Sequence, residues 1–205
     1  MGRRLYQGLR EFYFNGDPFV VEKVIKDIDS NMQETFDSTQ RIEIELKKVA
    51  STTYGKELQR ICEAFSKISD ILFIGSQEIN QMQADTIIYI NKCAKFEGYN
   101  QRASLPNQFF IKRIRVDGDT TKSKNHMDTM SHLVNQTESY ISYVVEKITR
   151  LDNSAKNISA DWRDPQYTIF YDGVKDALIK ILGALKTLDE SNRVLKQKII
   201  EYESN

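Results

Sequence analysis

The sequence predicts an all-α protein, a four-helix bundle built from two tandem antiparallel helical hairpins, with a short strand before the first helix and another before the third. Three observations lead there. Four long windows place apolar residues at alternating steps of three and four, the stripe of helices that cross at shallow angles. Proline and glycine are sparse, 3 and 9 in 205 residues, so little interrupts long helices. A strand-like run ending in Asn or Asp, followed by Gly-Asp, precedes both the first and the third window.

The first strand is read at Leu9 to Asn15, within "LREFYFNGDP". Asp17 before Pro18 then gives an N-cap followed by a proline at the first helical position. The first stripe runs Val21, Ile25, Ile28, Met32, Thr35, Thr39, Ile42, Leu46, Val49. Ser51 to Gly55 is the turn. The second stripe runs from Leu58 through Phe65, Leu72, Ile79 and Tyr89 to Phe96. A crossing segment follows, with Pro106 and a second strand at Gln108 to Val116, expected to pair with the first strand. Asp119 is the expected cap of the third helix, whose stripe runs from Met127 through Val134, Thr137, Ile141 and Val144 to Ile158. Asp164-Pro165 repeats the cap-and-proline start before the fourth stripe, which runs from Tyr167 through Phe170, Val174, Ile181, Leu188 and Leu195 to Tyr202.

Aligning Gly16 with Gly118 superimposes the two halves and predicts an internal duplication. In that alignment the first long helix is about seven residues shorter than the third, two turns, which keeps the buried face in phase. The modules are then a degenerate strand-helix-turn-helix unit over 1–97, a linker with a strand over 98–118, and a second hairpin over 119–205. Both halves are expected to pack as one bundle, a monomeric pseudo-dimer.

Charge excludes some functions. Lys plus Arg equals Asp plus Glu, 29 each, so no global field draws the chain to nucleic acid or to an anionic membrane. The run Lys112-Arg113-Ile114-Arg115 is too short to change that. No stretch approaches a membrane span, and the N-terminal residues carry no apolar h-region. The expected location is cytoplasmic, or secreted without a cleavable signal peptide. Cys62 and Cys93 lie on one predicted helix about 46 Å apart along its axis, too far for a disulfide, and read as reduced core residues.

The second half resembles the ESAT-like WXG family of helical hairpins associated with type VII secretion. The resemblance rests on "IRVDGDT" (Ile114 to Thr120), the long helix after it, the turn Trp162-Arg163-Asp164-Pro165, Phe170 eight residues beyond the tryptophan, and the second helix ending in Tyr202. It covers about residues 109–203. The first half fits as a degenerate copy, with Tyr54-Gly55 where the tryptophan turn would be. The resemblance implies hairpins paired into four-helix bundles, acting as secreted substrates or as helical partners that accompany larger toxins. Two departures stand out. Asp164 replaces the glycine of Trp-x-Gly, and the tail after the last helix holds no Tyr-x-x-x-Asp/Glu signal. Tyr13 and Asp17 have that spacing but fall in the predicted strand and cap. A partner is then expected to supply the signal, unless the protein is not exported.

No motif for covalent chemistry emerges. His126 and His132 are six apart, about 240° around a helix, so they cannot share a metal on one face. Phosphate-binding loops, nucleophile elbows and Cys-x-x-Cys pairs are missing from the sequence. The expectation is a protein that is not an enzyme, takes no cofactor or metal, and binds a helical protein partner. The alternative is a self-assembling coiled-coil scaffold. The only tryptophan, Trp162, is expected to cap the apolar stripe at the hairpin turn, with its N–H near solvent or a carbonyl.

Overall fold

The computed structural model describes residues 16–96, 103–104, 113–117 and 126–204. Among these the fold is a helical bundle of four long helices, α1 (Pro18–Ala50), α2 (Lys56–Phe96), α3 (Met127–Asn157) and α4 (Pro165–Glu203), with a 3₁₀ turn at Ile158–Ala160. Each stripe is the buried face of its helix. All nine positions of the first stripe, Val21 to Val49, are buried. The departures elsewhere are few: Met82, Met127, Ile141 and Tyr167 are half-buried, and Tyr202 is exposed. The fourth stripe skips from Leu188 to Leu195, and the buried position between them belongs to Asn192, 1% exposed. Each fully buried Leu or Ile contributes roughly 1.5–3 kcal/mol, so it is the stripes that keep helices of this length folded.

The chain divides into two compact units that do not follow its two sequence halves. The first takes residues 1–33, 74–110 and 147–179. In its described part, Gln83 of α2 donates from Nε2 to the Ile25 carbonyl of α1 at 3.2 Å, and Tyr171 of α4 donates to Asp152 of α3 at 3.2 Å. The second takes residues 34–73, 111–146 and 180–205. There Asn192 of α4 donates from Nδ2 to the Val134 carbonyl of α3 at 3.1 Å. The two amide anchors are equivalent. Each joins residues 58 apart, and Ile25 to Val134, Gln83 to Asn192 and Pro18 to Met127 are all steps of 109.

This register corrects one expectation. The first helix is not shorter than the third, since α1 has 33 residues and α3 has 31. The seven residues that separate the glycine alignment (a step of 102) from the helix register therefore precede α3. Between Asp119 and Met127 the sequence is Thr-Thr-Lys-Ser-Lys-Asn-His, with no apolar residue to bury and several that compete with helical bonding. α3 accordingly begins at Met127, where the His126 carbonyl accepts from Met130 at 3.0 Å. Asp119, expected as its cap, lies outside the described residues.

The strands are the other correction. No strand forms among the described residues, and Leu9 to Asn15 lies outside them. The described part of the second predicted strand, 113–116, runs on to Asp117 without pairing to another strand among the described residues. Its alternation is real, with Ile114 and Val116 buried and Arg113, Arg115 and Asp117 exposed. Its anchor is α2: the Ile114 N–H donates to Ser69 Oγ at 2.6 Å, and Arg115 Nη2 lies 2.9 Å from both oxygens of Asp70. Arg113 sits over the Phe73 ring at 4.7 Å. The basic cluster thus has a structural use against one helix.

Two glycines of α4 test this packing. A Cβ at Gly183 would meet nothing within 4 Å, so Gly183→Ala should stabilise by about 0.5–1 kcal/mol through helix propensity. A Cβ at Gly173 would lie 2.2 Å from Met82 Sδ. That thioether can swing aside, so Gly173→Ala should fall between neutral and about 1 kcal/mol destabilising. Urea midpoints at constant slope should rank Gly183→Ala above wild type and Gly173→Ala at or below it.

Candidate functional site

Of the residues singled out in the sequence, Asp17, Trp162, Arg163, Asp164 and Pro165 meet at the turn between α3 and α4. α3 tightens into the 3₁₀ turn, and the Asp161 and Trp162 N–H groups both donate to the Ile158 carbonyl, at 2.9 and 2.8 Å. The chain then presents Trp162 inward, 0% exposed. Its ring lies 5.7 Å from Phe170 and 6.0 Å from Tyr167, centroid to centroid. Asp164 accounts for the polar side. Its Oδ1 accepts the Gln166 N–H at 2.8 Å, the N-cap bond that starts α4 behind Pro165. Its Oδ2 accepts the indole N–H of Trp162 at 2.7 Å and the hydroxyl of Tyr89 at 3.2 Å. One carboxylate therefore joins a cap, the turn aromatic and the far part of α2. Burial, and then the Asp164 charge, push the Tyr89 phenol well above its ordinary range, so it stays a donor. The indole N–H meets a carboxylate, where solvent or a carbonyl was expected. Arg163 is exposed and donates from Nε to the Ala160 carbonyl at 3.2 Å.

The start of α1 seats on this turn. Gly16 and Trp162 form a single antiparallel bridge, and the Asp17 N–H donates to the Asp161 carbonyl at 2.9 Å. Asp17 then caps α1, its Oδ1 accepting the Phe19 N–H at 2.9 Å. Glycine is required at position 16 by proximity: a Cβ there would lie 2.0 Å from the Asp161 carbonyl oxygen and 2.9 Å from Trp162 Cα. Neither this contact nor that of Tyr89 was read from the sequence. The available signals were the Gly-Asp-Pro run and a tyrosine on the second stripe.

The corresponding turn of the first half, Tyr54-Gly55, lies in the second unit. Gly55 has φ +152°, a conformation side chains rarely adopt, and its carbonyl accepts from Gln59 at 3.1 Å as α2 begins. Tyr54 is half-buried, whereas Trp162 is enclosed.

A second feature is a groove of about 440 Å³ between α1 and α3 in the second unit. Ser38, Arg41, Ile42, Ile44 and Glu45 line one side, and Gln136, Ser139, Tyr140 and Tyr143 the other. Its floor is fixed. Tyr140 is buried, with its hydroxyl 3.0 Å from Thr39 Oγ1 and its ring edge-on to Phe65. Tyr143 donates to Glu34 at 3.0 Å, and His132 lies 3.7 Å from Glu45. Ile44 on the rim is 63% exposed.

Among the described residues no three His, Cys, Asp or Glu side chains come together as a metal site. Cys62 and Cys93 are buried thiols that form no disulfide among the described residues, and burial, helped by the Asp117 charge, pushes the Cys62 thiol up to about 12. No helix of the described residues is long and apolar enough to cross a membrane. The chain matches no family model, no curated protein and no solved structure.

The turn yields graded expectations. Trp162→Ala should cost about 3–5 kcal/mol, as for other large buried aromatics. Gly16→Ala should cost about 1–3 kcal/mol, because it meets backbone rather than a movable side chain. Hydrogen exchange on Trp162→Ala should show protection lost first between Ile158 and Phe170. An unchanged pattern there would contradict the role given to the ring.

Proposed function

We propose that this chain is a non-enzymatic helical interaction protein. It would be a tandem of two antiparallel hairpins resembling the WXG-like proteins of type VII secretion, serving as a secreted substrate or as the targeting partner of a larger effector. The observation that supports the tandem reading is the repeated amide anchor, Gln83 on Ile25 and Asn192 on Val134, each spanning 58 residues within its own half. One chain then supplies both hairpins of a family dimer. The groove between α1 and α3 offers a partner helix an apolar floor of Ile42 and Tyr140, and Ile44 stands on its rim.

Affinity capture with the full chain, followed by an export assay of the captured protein, tests this. The expected result is a helical partner that wild type retains and that Ile44→Glu binds about tenfold more weakly, ~1.4 kcal/mol. A strictly monomeric protein with no helical partner and no influence on export would contradict it.

One observation favours a second reading, a self-assembling helical scaffold. Ile179, Leu182, Val194 and Ile200 of α4 are 57, 41, 39 and 49% exposed, apolar surface beyond what the stripe uses. Light scattering that grows with concentration would support the scaffold, and a constant monomer mass would remove it.

A further inference from the structure

α4 carries a row of side chains that neither the turn nor the groove uses. Leu182, Lys186, Glu190 and Val194 follow one another at steps of four, and all are exposed. They lie within the part of α4 that belongs to the second unit. Side chains four apart form one ridge of a helix, and this ridge is about 18 Å long. Its two charges differ from their neighbours. Arg193 pairs with Asp189, Lys196 with Glu138 and Lys198 with Glu201, each at 2.8 Å. Lys186 and Glu190 have no ion-pair partner among the described residues. They are four apart, but lysine precedes glutamate, the less favourable order for pairing within a helix.

The order apolar, basic, acidic, apolar is complementary to its own reversal. When a second copy is turned end for end about the point midway between Lys186 and Glu190, Leu182 meets Val194 and Lys186 meets Glu190. Each contact then occurs twice, as a two-fold interface requires. A parallel copy in register would instead set lysine on lysine and glutamate on glutamate. Ridges of this kind lie alongside one another when two helices cross at about 50°.

We propose that this row of α4 is an interaction surface for a second copy of the chain, packed antiparallel. Covering Leu182 and Val194 supplies the attraction, and the crossed ion pairs set the direction. The contact closes at two copies, so it is not the growing contact of an open scaffold, and it depends on neither the groove nor export. The row is short against the roughly 800 Å² that each partner of a stable interface buries, so the dimer is weak and is loosened further by salt.

Sedimentation equilibrium of the full chain at low salt, from about 10 μM to about 1 mM, tests the proposal in the range of a weak complex. The apparent mass should rise from one chain toward two and stop there. Lys186→Glu and Glu190→Lys should each weaken dimerisation about tenfold or more, because each sets like charges against one another twice. Both changes together should restore it to within about threefold of wild type. Lys48→Glu, at an exposed position of α1, alters the net charge as Lys186→Glu does and should leave dimerisation unchanged. A constant single-chain mass, growth beyond two copies, single variants that dimerise like wild type, or a double variant no tighter than the singles would each overturn the proposal.

Discussion

The Asp164 carboxylate is the interaction on which the architecture of the first unit turns. It accepts from the backbone that starts α4, from the only indole in the chain and from a phenol on α2. Charged acceptors make shorter and stronger hydrogen bonds than neutral ones, and here three donors converge on a single side chain. Asp164 thus does more than permit a turn. It supplies the cap glycine lacks and gives the buried indole N–H a partner, without which enclosing the tryptophan would be costly.

Around that carboxylate the backbone is packed too closely for any side chain at Gly16. The bridge to Trp162 and the Asp17 N–H bond place the start of α1 on the turn before α4, and Asp17 and Asp164 then cap the two helices that leave it. The long stripes need such endpoints. A single apolar face of alternating threes and fours fixes which side of a helix is buried but not its register along a neighbour. Here polar contacts set that register: the Asp164 node, and the amide anchors at Gln83 and Asn192.

Much of this was legible in the sequence, because one-sided burial leaves a periodic trace. The stripes, the turn positions and the caps at Asp17 and Asp164 all follow from local rules. What escaped was non-local or polar. Asn192 holds a buried position that reads as a gap between Leu188 and Leu195. Tyr89 reaches an aspartate 75 residues away. The run from Arg113 to Asp117 has the alternation of a strand, yet its backbone donor is taken by a serine hydroxyl on α2, which no pairing rule anticipates. α3 begins at Met127, the first residue of the stripe read for it. The ring expected at the edge of the stripe is wholly enclosed, which makes the turn a joint and not an exposed aromatic docking surface.

That enclosure can be measured directly, because Trp162 is the only tryptophan. Steady-state fluorescence with acrylamide quenching of the native protein reports on this one ring. Blue-shifted emission and weak quenching are expected of the native protein, both changing to the values of free indole in denaturant. Emission at the free-indole wavelength with efficient quenching in the native protein would contradict it.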